Sequence, residues 1–474
     1  MTPEDGLEVP QRAARPARPA RLVGYGVIGL WIALLGVAVG WGVQLDPAWP
    51  AWREASWALA VWGANLLLLY YVVGPPFAFS RLPLLSAIFA LLMTAMGSGS
   101  YWATIQLFPR YRVPIELAAL FTAVCTALSL IGCVVVARLS GLRERLAGWH
   151  YVWDWGRLRV VTYALFAVCA VGTYMSIRAI GYIPAVLGDP ESLRVQFPEI
   201  AGAWFRLSML GMVVGLIAGV QICARRANWL VWVVGALGLG CASLYGNRFF
   251  IALPVGALAL LWDRVRGRVS ARSVALAVGV GMPALALLYF WRQHDETLVG
   301  RLGPLGLILY GSLNEFRDLA WTLDYYSGGG HALLGGSTLG GLIVPLFPSG
   351  VWSAVGIDKA AVFAHSNAAV LAQEMGQVTA QRVGIYGELF MNFGWAGAFL
   401  GALLYGVGLG YLDRRLMVVR DGAVVGGILL AVAGAATVYA QVGQWNMFTA
   451  AVTSCCYPVL LLALFTARRA TRAV

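Results

Sequence analysis

GELFMNFGWAGAFLGALLYGVGLG, residues 387–410, carries one charged side chain, Glu388, in 24 positions. From about Phe393 onward it is apolar without interruption and long enough to cross the roughly 30 Å of a bilayer's hydrocarbon. Gly397 and Gly401 within it form a small-xxx-small pair, the spacing that lets helices approach closely in lipid. The rest of the chain agrees with a membrane as its solvent. It is 60% hydrophobic and 12% charged, with a mean hydropathy of +0.74 over 474 residues. That apolar share lies far above that of a water-soluble domain.

Working outward, apolar runs of spanning length begin near Leu22, Ser56, Leu84, Ile115, Val160, Leu207, Trp229, Phe249, Val274, Phe393, Ala423 and Phe448. This predicts an all-α polytopic integral membrane protein of about 12 transmembrane helices. The runs from Trp229 and Phe249 share few residues for two full crossings, and "MGSGS" interrupts the one from Leu84. The expected organisation is a disordered basic cytoplasmic N-terminus over 1–21, helices one to nine over 22–291, a large periplasmic loop over 292–392, helices ten to twelve over 393–466, and a cytoplasmic tail over 467–474. The first run follows Arg12, Arg15, Arg18 and Arg21 without a small-residue cleavage site, which predicts a retained helix.

Loop charge supports this count, because cytoplasmic loops collect Lys and Arg. Twelve crossings place 22 of the 34 basic residues and 8 of the 22 acids on the side of the termini, a net of +14, and leave 12 bases and 14 acids, a net of −2, opposite. The overall charge of +12 is thus an orientation signal and not a nucleic-acid footprint. All seven cysteines, Cys125, Cys133, Cys169, Cys223, Cys241, Cys455 and Cys456, fall in or beside spans, so neither a disulfide scaffold nor a zinc site is indicated.

The loop over 292–392 is much the longest outer connection, and loops of that length are usually functional. "LGPLGLILYGSLNEFRDLAWTLDYY" has apolar residues recurring at three and four, as in an amphipathic helix lying on the membrane or on the bundle. Glycines in "SGGGHALLGGSTLGG" break it. A second helix then follows from Ser366 as N-cap, along which Asn367, Glu374 and Gln381 share one face.

Basic residues on the outer side run against the usual bias. Arg248 is separated from Arg264 by about 16 residues, roughly 24 Å of helix, so it is sunk below the outer surface. An ionisable group at that depth is a functional candidate, and a snorkelling helix-end Arg is its bland counterpart. Arg206, Arg292, Arg301, Arg317, Lys359 and Arg382 are weighed against plain surface charges. Glu315 has the same alternative, and Glu388 binds either backbone or an Arg. His294, His331 and His365 are outer histidines, each of which is a structural residue unless a partner converges on it. Such a ring of cations suits an anionic, lipid-linked substrate, because Arg binds phosphoryl oxygens bidentately and stabilises a departing diphosphate without a metal clamp.

"HSNAAVLAQEMGQVT", residues 365–379, resembles the ligase-like pattern His, then Asn/Ser/Gln, nine residues, Gly, two residues, then Gly/Thr/Tyr. "GELFMNFGWAGAFLGALLYGVGLG" is similar to the segment entering the span after the large loop of the Wzy-type O-antigen or oligosaccharide repeat unit polymerases. "LNEF…DYYSGG" resembles the early part of that loop, and "YGNRFF" the short Gly-x-Arg outer turn. The likeness covers most of residues 160–466 and extends to the related WaaL-type O-antigen ligases. "PLFPSGVWSAVGIDKA" departs from it, with Leu346 where Arg is usual and Ala360 after Lys359.

The resemblance implies a GT-C-like, inverting, metal-independent transferase with no cofactor, moving the growing glycan from undecaprenyl diphosphate onto a lipid-linked repeat unit at the periplasmic face of the inner membrane. It implies that Arg248 meets the diphosphate, that a loop Arg, best placed as Arg292 or Arg317, completes the clamp, and that His365 sits at the reaction centre. From their outer position, Arg206, Arg301 and Arg382 are further diphosphate-binding candidates and Glu374 and Glu315 further catalytic ones. Implied partners are the undecaprenyl-diphosphate-linked oligosaccharide, the bilayer, a chain-length regulator and a flippase. A ligase acting on lipid A core is the nearest rival. A polysaccharide flippase or transporter is the rival from another class, and a non-catalytic scaffold is a third.

Overall fold

The computed structural model of the chain describes residues 89, 93, 115–138, 151–187, 196–245, 249–266, 315–327, 332–343, 346–347, 349–358, 361–362, 383–419, 425–442 and 445–469. They are predominantly helical, and they show a multi-pass membrane protein. Five helices are long and apolar enough to cross a bilayer, with mean hydropathies from 1.4 to 2.4 over their spanning windows. In hydrocarbon an α-helix satisfies its own backbone, which is why apolar runs of this length take that form.

In chain order these are α1 (Ile115–Arg138), β1 (Tyr151–Trp153), α2 (Trp155–Ile180), α3 (Pro184–Leu187), α4 (Phe197–Ile200), α5 (Ala203–Cys223), α6 (Trp229–Ser243), α7 (Phe249–Arg266) and α8 (Glu315–Ser327). A 3-10 turn (Ser337–Leu339), α9 (Gly340–Ile343), α10 (Ser349–Ala354), α11 (Gly384–Val418), α12 (Val425–Val442) and α13 (Trp445–Ala451) follow. A π-helical turn (Val452–Cys456) leads into α14 (Tyr457–Thr466) and β2 (Ala467–Arg469). The expected spans from Ile115, Val160, Leu207, Phe393, Ala423 and Phe448 are all present as helices. The crowded pair resolves into two separate helices, α6 of 15 residues and α7 of 18. The runs from Leu22, Ser56 and Val274, and that from Leu84 apart from Phe89 and Met93, lie outside the described residues.

One end of the bundle gathers arginines onto main-chain carbonyls at or just beyond helix C-termini. Arg414 Nη1 donates to Val136 O at 2.7 Å, Arg266 Nη2 to Ile222 O at 2.9 Å, and Arg159 Nη2 to Arg226 O at 2.8 Å. At the same end β1 and β2 pair antiparallel, Trp153 opposite Ala467, and Asp154 N donates to Thr466 O at 2.8 Å. Asp154 Oδ1 also caps α2 by accepting from Gly156 N and Arg157 N. The starts of α2 and α6 and the ends of α1, α5, α7, α11 and α14 are thereby tied into one basic face.

The feature that shapes the other end is in α11. Gly394 has φ 66 and ψ −162, a conformation open almost only to glycine. Residues 389 and 401 of an unbroken helix would stand about 18 Å apart. Here a Cβ on Gly401 would lie 2.5 Å from the Leu389 side chain, and the Tyr386 and Tyr405 rings are 6.3 Å apart. The chain therefore folds back at Gly394. Residues 384–393 form a half-helix antiparallel to the span over 395–418, so the crossing expected from Phe393 starts at Trp395. Gly397 and Gly401 do serve close packing, but against their own half-helix: a Cβ on Gly397 would meet Phe393.

α1 locks the two limbs together. Ser129 Oγ donates to Ala402 O at 2.8 Å, so the 2.7 Å contact with Tyr386 has the phenol as donor, since a serine has one hydroxyl hydrogen. Cβ atoms on Gly132 or Gly406 would collide with Leu403 O and Ser129 O, a measure of how closely the backbones approach. At the apex Phe121, Phe390 and Trp395 pack edge to face, with centroids 4.9–5.9 Å apart.

Of the amphipathic helix expected in the loop, the part over 315–327 is α8, and residues 302–314 lie outside the described residues. α8 lies against the bundle, between α1 and the half-helix: Leu319, Ala320, Leu323 and Asp318 are buried, and Leu319 Cδ1 would be 2.9 Å from a Cβ on Gly387. The second expected helix, from Ser366, lies outside the described residues.

Gly394→Ala should destabilise the fold by about 1–3 kcal/mol, the usual cost of forcing a side chain into this backbone region. A lower thermal midpoint in detergent is expected, whereas Gly408→Ala, where a Cβ meets nothing within 4 Å, should be neutral or stabilising. Equal midpoints for both variants would remove the fold-back from the account.

Candidate functional site

The chain from 332 to 340 lies across the apex of the hairpin. Leu334 N and Gly335 N donate to Met391 O and Asn392 O, each at 3.0 Å, which caps the C-terminal carbonyls of the half-helix. Gly335 and Gly336 have φ values of 58 and 94, turning the chain so that Gly336 N reaches Asn392 Oδ1 at 2.9 Å. Asn392 Nδ2 donates to Thr338 Oγ1 at 2.6 Å and to Glu388 O at 2.7 Å. Thr338 Oγ1 donates to Glu388 Oε1 at 3.0 Å.

Every polar atom of the Asn392 side chain is thereby used. Glu388, Thr338 and Asn392 are at most 2% exposed, and such a fully connected buried network is rigid. Its carboxylate stands within the bundle, at the end away from the arginine-capped carbonyls. Glu388 Oε1 accepts the Thr338 hydroxyl, a partner that the sequence reading of a backbone group or an Arg did not include. Thr338 gives no signal in the sequence. Asn392 was findable, because it stands four residues after the lone charge of an apolar stretch and so shares its helix face.

Of the candidates read from the sequence, Arg206 lies exposed in the first turn of α5, next to Phe205, whose ring meets that of Tyr245 edge-on at 4.9 Å. It is not drawn into the Glu388 network. Glu315 and Arg317 open α8, the helix whose Leu319 abuts the half-helix at Gly387. Arg248, Arg292, Arg301, Arg382, His365 and Glu374 lie outside the described residues, as do His294, His331 and Lys359.

Two sequence neighbours of these candidates each touch α12. The Phe249 ring packs 5.2 Å from that of Tyr439, and Gly384 would place a Cβ 2.8 Å from Gln441 O. Phe249 follows Arg248, and Gly384 stands two residues after Arg382. Both contacts fall within three residues of each other near the end of α12. Among the described residues, no group of three or more His, Cys, Asp or Glu side chains is placed to hold a metal ion.

Asn392→Ala should leave Gly336 N without its Oδ1 acceptor and cost about 1–3 kcal/mol for that orphaned group. The expected outcome is a lower melting midpoint together with faster proteolysis of the 332–340 segment, and unchanged proteolysis would detach that segment from the half-helix. In comparison with known proteins, no family model, curated protein or solved structure matches this chain.

Proposed function

We propose that the protein is a membrane-embedded inverting glycosyltransferase that polymerises lipid-linked oligosaccharide repeat units. The growing glycan leaves undecaprenyl diphosphate and is joined to a lipid-linked repeat unit at the periplasmic face of a bacterial inner membrane. The observation that supports this reading is the packing of α8, the helix that opens with Glu315 and Arg317, on the buried half-helix of a multi-pass bundle, at the end away from the arginine-capped carbonyls. The gathering of arginines at the opposite end supports the orientation, since that face belongs to the cytoplasm.

In this mechanism the guanidinium groups of Arg248 and Arg382, with Arg292, Arg301, Arg317 and Arg206 as further cations, hold the diphosphate. An acceptor sugar hydroxyl attacks the anomeric carbon from the face opposite the diphosphate. The new glycosidic bond forms as the bond from that carbon to the diphosphate oxygen breaks, which inverts the configuration. The electron pair stays on the departing undecaprenyl diphosphate, where the arginines neutralise it. The hydroxyl proton passes to His365, Glu374 or Glu315. Glu388 acts through position, holding the 332–340 segment on the half-helix next to this site.

Arg248→Ala and His365→Ala should abolish polymer while protein level and the single-repeat product persist, read as the glycan profile of cells carrying each variant. Long chains retained in both would refute the assignment. Cells lacking the protein should show core carrying one repeat; polymer accumulating on the carrier lipid would make the enzyme a ligase instead. Chelators should leave purified activity unchanged, and strict dependence on Mg²⁺ would overturn the metal-free step.

A further inference from the structure

The half-helix over residues 384–393 begins inside the bundle. Its N-cap residue, Val383, offers no side-chain hydrogen bond, and Val383, Ile385 and Tyr386 are all buried. The first N–H groups of a helix have no intrahelical acceptor and carry the positive pole of its dipole. A helix start buried in this way presents several donors to whatever lies in front of it.

Gln441 supplies an independent sign of what that is. It stands in the last turn of α12, 3% exposed, and its Oε1 is buried with no hydrogen-bond partner. Its Nε2 lies 3.6 Å, and its main-chain O 2.8 Å, from the point a Cβ on Gly384 would occupy. Gly384 has φ +66 and no side chain, and only that combination lets the carboxamide and the helix start approach so closely. An unpaired buried amide oxygen is destabilising, and native proteins keep few of them. Here one is kept within a few ångströms of a buried, uncapped helix start.

We infer that the start of this half-helix and the Gln441 carboxamide together form a binding site for a phosphorylated, hydroxyl-bearing headgroup. The amides that open the half-helix and Gln441 Nε2 donate to phosphoryl oxygens. Gln441 Oε1 accepts from a hydroxyl, either of a sugar or of a protonated phosphate. That the headgroup is the diphosphate of a lipid-linked glycan rests on the proposed function; the binding site does not. The site gives the substrate neutral donors within the bundle and leaves the cationic contacts to arginines.

The test is a direct binding measurement on the full chain in nanodiscs, with three probes: undecaprenyl diphosphate, inorganic pyrophosphate, and undecaprenol as the phosphate-free lipid. Gln441→Glu sets a carboxylate against the anion and should weaken undecaprenyl diphosphate binding by about tenfold or more, since charge-assisted contacts give way to repulsion. Gln441→Met removes both amide ends in nearly the same volume. It should weaken binding severalfold and at the same time raise the melting midpoint of the unliganded protein, because the unpaired oxygen is gone. That opposite movement of affinity and stability is not expected of a purely structural residue. Pyrophosphate binding with the same dependence on Gln441 would keep the site and assign it to a free anion. Unchanged binding in the Met variant, or undecaprenol binding as tightly as its diphosphate, would overturn the proposal. Glycan synthesis is not read in this assay, so loss of the polymerase reading and loss of the site are separate results.

Discussion

Hydrocarbon offers no hydrogen-bond partner, so each polar group that the chain carries into the bilayer must find one within the protein. The hairpin at Gly394 shows how far that constraint reaches. The sharp turn interrupts the helical hydrogen-bond ladder, and the chain crossing above it restores the balance: Leu334 and Gly335 cap the half-helix, and Asn392 closes the remaining gap with Gly336, Thr338 and Glu388. Deeper down, Tyr386 and Ser129 satisfy one another and Ala402, and Tyr405 Oη donates to Thr437 O at 2.8 Å. α1, α11 and α12 are joined by these polar contacts as much as by apolar packing.

Packing and polarity cannot be separated here. Without water, helices associate through close backbone approach and interhelical hydrogen bonds, and not through a hydrophobic drive. The contact of α1 with α11 uses both: Gly132, Gly406 and Gly410 bring the backbones together, and at that distance Ser129 Oγ and Cys133 Sγ reach main-chain carbonyls on α11. The same logic recurs between α5 and α6, where a Cβ on Gly211 would run into Gly238 O. α8 is held by ordinary burial of Leu319, Ala320 and Leu323, and brings its Trp321 and Tyr325 rings into a 4.7 Å stack.

The long spans were legible because an apolar run of spanning length has one stable form in lipid, and the basic ends were legible because charge is counted, not folded. The separation of α6 from α7 was less so, since a helix packed on a bundle need not cover the full hydrocarbon thickness. Two features escaped the sequence for a definite reason. Residues 384–393 read as the approach to a span, and only the backbone angles of Gly394 and the contact of Gly401 with Leu389 reveal a reversal. α8 has the pattern of a surface helix, and nothing in its spacing says that its apolar stripe meets protein and not lipid. At the site, a lone acid in an apolar stretch pointed to Glu388, whereas Thr338 is brought to it from 50 residues away by a glycine turn that local pattern does not encode.

The fold-back also sets where the positive pole of a helix lies in this bundle. Leu319 of α8 abuts Gly387 and a Cβ on Gly336 would lie 3.4 Å from Phe393, so α8 and the 332–340 segment both pack on the half-helix. The half-helix itself starts in the interior, at the buried Val383 and Ile385, and finishes at the apex. Its positive pole points inward, as the broken helices of transporters direct theirs at anionic substrate groups. A helix start carries about half a charge without the solvation demand of a guanidinium. A straight α11 would have sent that pole outward along the span; reversing the chain at one glycine turns it into the protein.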